Sequence, residues 1–286
     1  MNLAEFAYTT LFGSPPVRAL VDRLILALLP ASIRIGAATV MLNPHDPVVS
    51  GALLLRVYER REIAFMRRLC KPGDVVIDVG ANVGLYTAIA GVMVGPTGRV
   101  VALEPDPESF RFLEQTALAN GLVNARLMNL AASSGAGKAR LYRSSRNRDD
   151  HRLYSNPLSD GSIEIDTIPI DDLLQDEGIS SVDVIKIDVQ GYEGHVIEGL
   201  AQTICHSPQV QILMEFWPYG LRSAGTDPFD FLRRLDELGL VIYEVKDRGD
   251  LTPINEHARL IHRFQARNYT NLALLGPDSA LLGELR

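Results

Sequence analysis

The sequence predicts an α/β fold: a doubly wound, mostly parallel sheet with helices on both faces. Three observations carry that expectation. Short runs of β-branched and aliphatic residues recur along the chain, each followed by a stretch with helical periodicity. The runs are apolar almost without interruption, the pattern of strands buried on both faces. A glycine-bearing segment, Asp78-Val79-Gly80-Ala81-Asn82-Val83-Gly84, then joins one such run to the helix after it, where α/β units place a ligand turn.

Taken in order, residues 1–70 read as an N-terminal extension packing on the core: a helix, a hairpin over 33–42 and a helix over 59–69. Residues 71–286 read as the main domain. Strand candidates fall at 75–79, 100–104, 125–130, 182–189, 210–216, 240–245 and 272–275, seven in all. Helices are expected at 85–94, at 107–120 with Pro107 suited to a first turn, at 193–204 and at 228–238. An insert at 138–170 breaks the alternation, with two more strands at 139–142 and 163–166 flanking a long polar loop. Long insertions at strand ends often carry function, so substrate specificity is expected in this insert and in the extension.

Composition narrows the function classes. Across 286 residues, 47% are hydrophobic and 22% charged, ordinary globular values that exclude wholesale disorder. Asp and Glu outnumber Lys and Arg by 35 to 28, and a net charge of −7 does not suit sequence-independent nucleic-acid binding. Cys70 and Cys205 cannot make a disulfide framework, which fits a reducing compartment. The stretch 19–30, broken by Asp22 and Arg23, is too short for a membrane span. Leu24, Leu28 and Leu29 there make one face of an amphipathic helix, packed on the domain or, alternatively, laid on a membrane surface. Residues 1–5 lack the basic start of a signal peptide, so a cytoplasmic location is expected.

The chemistry is concentrated in the turn. Gly80 and Gly84 permit tight backbone and close approach to a ligand, and the following helix offers free N–H groups. A dinucleotide fingerprint needs a second glycine where pyrophosphate packs, and this chain has Asn82 there. Asp78 places a carboxylate beside the turn, repelling phosphate and welcoming a cationic amino-acid headgroup. Glu104 closes the next strand in Leu103-Glu104-Pro105-Asp106, where a carboxylate accepts hydrogen bonds from ribose hydroxyls. An unphosphorylated nucleoside bearing a cationic amino acid describes S-adenosylmethionine.

Together with Ile185-Lys186-Ile187-Asp188-Val189-Gln190-Gly191-Tyr192-Glu193, these blocks resemble the FkbM-type S-adenosylmethionine-dependent methyltransferases over about residues 70–220. The resemblance implies a class I methyltransferase fold, a seven-stranded Rossmann-like sheet whose last strand is antiparallel, and O-methylation of a sugar or polyketide hydroxyl. It implies that Asp78, Gly80, Asn82 and Gly84 line the methionine end and Glu104 the ribose, with Ala81, Pro105 and Asp106 also in the cofactor shell. Asn129 and Ala131 would fall near adenine.

On the acceptor side, Lys186 and Asp188 share strand parity and project to one face near the strand's carboxyl end. A mutually paired structural ion pair is the competing reading of these two. Glu215 ends the next strand, beside Asp188 if the two strands are neighbours, and Glu193 opens a helix. Abstraction of a hydroxyl proton requires a base, with Asp188, Glu215 and His151 as candidates in that order and Lys186 beside them. Asp188 and Glu215 are also the only evident pair for a divalent cation, a less favoured route because no third ligand accompanies them. A basic group in the insert (Arg140, Arg143, Arg146, Arg148, His151, Arg152) would suit an anionic acceptor, or forms a solvated loop. Trp217 and Tyr219 are placed to stack on a sugar ring or, equally, to pack at the strand end. The expected partner is a small molecule or glycan, with a homo-oligomer left open. The rivals are a non-catalytic S-adenosylmethionine-binding module, a methyltransferase for another acceptor, and a dehydrogenase.

Overall fold

The computed structural model describes residues 28–144, 151–155, 159–246, 249–265 and 268–285. Its strands are β1 (Ser32–Ile35), β2 (Ala38–Met41), β3 (Val75–Val79), β4 (Arg99–Leu103), β5 (Ala125–Met128), β6 (Ala131–Ala132), β7 (Gly137–Arg143), β8 (Gly161–Ile168), β9 (Val184–Ile187), β10 (Gln211–Phe216), β11 (Val241–Val245), β12 (Leu251–Pro253) and β13 (Thr270–Leu275). The main sheet runs β12-β11-β13-β10-β9-β3-β4-β5. Pairing is parallel from β10 through β9, β3 and β4 to β5, while β13 lies antiparallel between β10 and β11. The seven expected strands are all present with the last one reversed, and the three-residue β12 adds an eighth at the edge.

Both faces of the sheet are covered, which is why its strands read as unbroken apolar runs. Ile77, Val101, Ile185 and Ile212 point to one face, packing with helices Ile170–Asp176 and Pro228–Glu237. Val76, Val100, Val184 and Leu213 point to the other, against helices Arg60–Leu69 and Leu85–Val94. On this second face the carboxyl ends of the strands turn polar: Asp78 pairs in register with Lys186, which pairs with Leu213. A charged patch therefore opens directly above an apolar core.

The β1–β2 hairpin packs on helix Pro107–Ala119 and its cap. Asn120 exchanges side-chain hydrogen bonds with Thr39 N and O at 2.8 and 2.6 Å, and Thr116 Oγ1 accepts from Met41 N at 3.0 Å. A helix the sequence reading did not separate, Pro47–Leu54, follows, with Asp46 capping Val48 N and Val49 N. The helix expected at 19–30 lies, apart from residues 28–30, outside the described residues.

The stretch expected as one helix over 193–204 is two, Glu193–Glu198 and Ala201–His206. Two contacts break it. The Gly199 carbonyl accepts from Asp171 N at 2.8 Å, and the Asp171 carboxylate caps the second helix at Gln202 N and Thr203 N.

The insert forms a small second sheet, β7 antiparallel to β8 and β8 parallel to β6, around Ala131, Leu141 and Ile165. Arg146 and Arg148 lie outside the described residues. Among the described residues, no helix is long and apolar enough to cross a membrane.

Candidate active site

The turn after β3 is shaped by three left-handed residues: Gly80 (φ +79°), Asn82 (φ +49°) and Gly84 (φ +87°). A Cβ at Gly80 would overlap the Asp188 carbonyl oxygen, so the turn seats directly against the end of β9 only because glycine is there. Gly80 N and Ala81 N both donate to Leu103 O at 3.0 Å, docking the turn onto β4. Glu104, buried at that strand's end, accepts from Asn82 N and from Asp106 N, each at 2.8 Å. One carboxylate thus fixes the two loops that flank the crevice.

That crevice spans about 560 Å³ when the open solvent at its mouth is included. Gly80, Asn82, Glu104, Pro105, Ala131 and Asp188 line it, and apolar walls come from Leu103, Leu130 and Leu153. Its lining includes two carboxylates and, among the described residues, neither Lys nor Arg. Such a surface opposes pyrophosphate and suits a nucleoside with free hydroxyls and net positive charge.

Five residues expected in the cofactor shell do not line this crevice: Asp78, Ala81, Gly84, Asp106 and Asn129. Asn129 donates its side-chain amide to Glu104 O and Pro105 O, at 2.8 and 3.1 Å, supporting the strand end. Asp106 is fully buried, capping helix Pro107–Ala119 at Ser109 N and meeting Arg143 Nε at 2.9 Å. Asp78 is also buried and does not line the crevice; its Oδ2 accepts from Thr87 Oγ1 at 2.6 Å, while Oδ1 has no hydrogen-bond partner among the described residues. Burial raises the Asp78 carboxyl above its ordinary range, against the pull of Thr87 and Lys186.

Lys186 and Asp188 project to one face as expected and are paired at 3.1 Å. The other Asp188 oxygen accepts from Gln190 Nε2 at 2.9 Å. Burial works against the charged form of Lys186, and Asp188, Glu59 and Asp78 outweigh it, holding the ammonium above its usual range. Because Ile187 is in register with Met214, Asp188 and Glu215 come next to each other on neighbouring strands. Among the described residues, no group of three or more His, Cys, Asp or Glu side chains is arranged to hold a metal ion.

The turn 188–191 is pinned from below. Glu193 is fully buried, and its Oε1 accepts from Val189 N and Gly191 N at 3.2 and 3.1 Å. Burial pushes its carboxyl up to about 7, opposed by those backbone N–H groups and reinforced by Asp188.

A second hollow, about 330 Å³, lies on the far side of the Gly80 turn. It shares Gly80, Asn82 and Asp188 with the crevice and adds Tyr58, Glu59, Tyr86 and Lys186. Sequence reasoning missed Glu59 and Tyr86. Glu59 sits in a stretch without a motif, and Tyr86 reads as one more apolar residue on a buried helix.

His151 lines the crevice too, its Nδ1 accepting from Ser144 N at 3.1 Å and its Nε2 lying 3.9 Å from Asp106. It belongs to the Glu104–Asp106 side, apart from the second hollow. The basic group of the insert is dispersed: Arg143 faces Asp106, Arg140 lies opposite Glu164, and Arg152 stacks 4.7 Å above Trp217. Tyr154 donates to Gln190 O at 2.9 Å, so residues 151–155 reach from one rim of the crevice to the other. Trp217 is buried and Tyr219 half exposed, their rings 5.5 Å apart.

A parallel sheet with one reversed strand near its edge and an acid-lined crevice over the strand ends, together with the family match over residues 78–252, make this an S-adenosylmethionine-dependent methyltransferase. A family model for the methyltransferase FkbM domain matches residues 78–252, more than half of the chain, and the chain belongs to that family. It is similar to the hexuronic acid methyltransferase AglP of Haloferax volcanii, 28% identical over an alignment of 192 positions that covers 64% of this chain and 70% of that protein. It is similar to the 2-O-methyltransferase NoeI of Sinorhizobium fredii, 30% identical over 47% of this chain and 60% of the relative. The 31-O-demethyl-FK506 methyltransferase FkbM of Streptomyces tacrolimicus is 28% identical over 46% and 60% respectively. The match thus spans less than two thirds of NoeI and of FkbM.

Proposed function

We propose that this protein is an O-methyltransferase that methylates a hydroxyl of a sugar, glycan or related natural product. The observation that carries this reading is the position of Asp188. Among the described residues, Asp188 is the one carboxylate-bearing residue that lines both the crevice and the second hollow, so it stands where the two meet. The three relatives named above, whose names specify a hexuronic acid, a 2-O position and a 31-O position, support a hydroxyl-bearing acceptor.

When bound, S-adenosylmethionine supplies a methyl group already activated on a sulfonium. The Gly80 turn, Asn82 and Ala131 hold the nucleoside in the crevice, and Glu104 accepts from its ribose hydroxyls. Asp188 takes the acceptor proton, a contribution of about 10²- to 10⁴-fold for a positioned base. Lys186 and Gln190 hold that carboxylate in one orientation from either side. Glu215, on the neighbouring strand, is the second candidate. Tyr219, half exposed beside the buried Trp217, offers a face to a sugar ring, and the segment 151–155 shields the site from water. Fixing the hydroxyl in line with the methyl supplies ~7 to 11 kcal/mol of the barrier.

The test is incubation with S-adenosylmethionine and a panel of neutral, amino and uronic oligosaccharides, following S-adenosylhomocysteine release and mass gain of the glycan. Turnover on at least one hydroxyl acceptor is expected. Cofactor binding without turnover across the panel favours a non-catalytic module.

A further inference from the structure

The start of β13 carries an aromatic side chain that the site described so far does not use. β13 lies antiparallel beside β10, with Thr270 across from Phe216 and Asn271 across from Glu215. Tyr269 stands two residues before Asn271, so strand alternation aims both side chains at the sheet face that holds Lys186 and Glu215. Asn271 donates to Glu62, in the first turn of helix Arg60–Leu69, at 2.7 Å, which ties that helix to the start of β13. Tyr269 is 57% exposed, and its hydroxyl makes no hydrogen bond among the described residues. It lines neither the crevice nor the second hollow.

Four carboxylates act on that phenol: Glu215 on β10, Glu59 and Glu62 at the start of the helix, and Asp188 just past β9. Each is engaged elsewhere, Glu59 by Tyr86, Glu62 by Asn271, Asp188 by Lys186 and Gln190, and Glu215 also has a partner. Burial and these charges hold the phenol above its ordinary range, so it keeps its proton at neutral pH. The result is an unspent donor beside the proposed base. A hydrogen bond donated to the reacting oxygen would draw electron density from the nucleophile and slow its attack. One donated to a second oxygen holds the acceptor without that penalty, and two anchored points stop a ring from pivoting about the first.

We infer that Tyr269 binds the acceptor, donating its phenol hydrogen to the oxygen on the carbon next to the methylated hydroxyl, so that the preferred acceptor is a vicinal diol. The inference rests on the proposed methylation of a sugar hydroxyl with Asp188 as base. The half of the acceptor site opposite the nucleoside is then built by the reversed strand, and the link from Asn271 to Glu62 fixes the position of Tyr269 against the N-terminal helix.

Kinetics with paired glycosides test this. The probes are the methyl glycosides of glucose, galactose, mannose, glucosamine and glucuronic acid, each with its monodeoxy forms, and mass spectrometry of the product locates the methylated position. In the parent, removing the hydroxyl next to that position raises KM about 3- to 10-fold, the size of one lost neutral hydrogen bond. Tyr269→Phe raises KM for the intact glycoside by the same factor, with kcat changed far less and affinity for S-adenosylhomocysteine unchanged. On the deoxy glycoside the variant and the parent have the same KM, because the bond is already missing. Thermal melts confirm that the variant is folded. An unchanged KM for the intact glycoside, an equal rise for both glycosides, or a loss confined to S-adenosylhomocysteine overturns the inference. A parent that binds S-adenosylhomocysteine and methylates none of these glycosides overturns the sugar reading beneath it.

Discussion

The crevice and the second hollow are separated by one turn of chain, yet they are built in opposite ways. The crevice takes Gly80, Asn82 and Glu104 from two adjacent strand ends within a short stretch of sequence, and Ala131, His151, Leu153 and Asp188 complete its lining. The hollow gathers Glu59, Tyr86 and Lys186 from an N-terminal helix, the helix after β3 and a central strand. A ligand that is the same in every reaction can be met by a contiguous motif. Side chains that must converge from several elements are arranged by packing, and packing leaves no spacing to read.

The sharpest way to divide the two regions is Asp188→Asn. The isosteric change keeps the bond from Gln190 and removes the charge. Turnover is expected to fall about 10²- to 10⁴-fold while affinity for S-adenosylhomocysteine stays close to the parent value. Equal losses in both would make Asp188 a cofactor ligand rather than the base.

Next in size is Glu193, which holds the turn the two regions share. Its carboxyl lies at about 7 in the folded chain, against an ordinary 4.5. The folded state therefore binds the extra proton between these values, so the stability Glu193 contributes is full below the lower value and is lost as pH rises through the upper one. Chemical denaturation from pH 4 to 8 is expected to show that decline, on the order of 3 kcal/mol. Glu193→Gln flattens it; an unchanged slope would remove Glu193 as its source.

Glu104→Gln keeps one acceptor oxygen and loses the charge. Binding of S-adenosylmethionine is expected to weaken about 10-fold, the difference between a charged and a neutral acceptor, with kcat little changed at saturating cofactor. Smallest is Tyr219→Ala. Loss of one aromatic face is expected to raise the acceptor KM about two- to tenfold without touching cofactor affinity. A change confined to cofactor binding would put Tyr219 on the wrong side of the site.

Most of the sheet was legible because burial on both faces forces near-continuous apolar runs in its central strands, whereas the edge strand Ala125–Met128 is only partly buried and carries an exposed Arg126. The helix at 193–204 was misread as continuous because its break is imposed by Asp171 from the helix Ile170–Asp176, which local periodicity does not record. Within the site, Gly80 and Glu104 announced themselves through the backbone and charge demands of a strand end. Asp106 and Asn129 carry the same residue types in the same loops, but the structure spends them on a helix cap and on backbone carbonyls. Asp78, at the last turn-facing position of β3, points beneath the turn to Thr87, nine residues on in the buried helix. Residue type placed these groups near the ligand; only geometry separates those that face it from those that hold the wall.

Titration of S-adenosylmethionine into the parent protein and into Gly80→Val probes the crevice most directly. A valine there must adopt φ +79° and drive its Cβ into the Asp188 carbonyl, displacing the turn from the end of β9. Saturable binding by the parent and none by a folded variant is the expected result. A variant that binds like the parent would place the methyl donor somewhere other than between the Gly80 turn and Glu104.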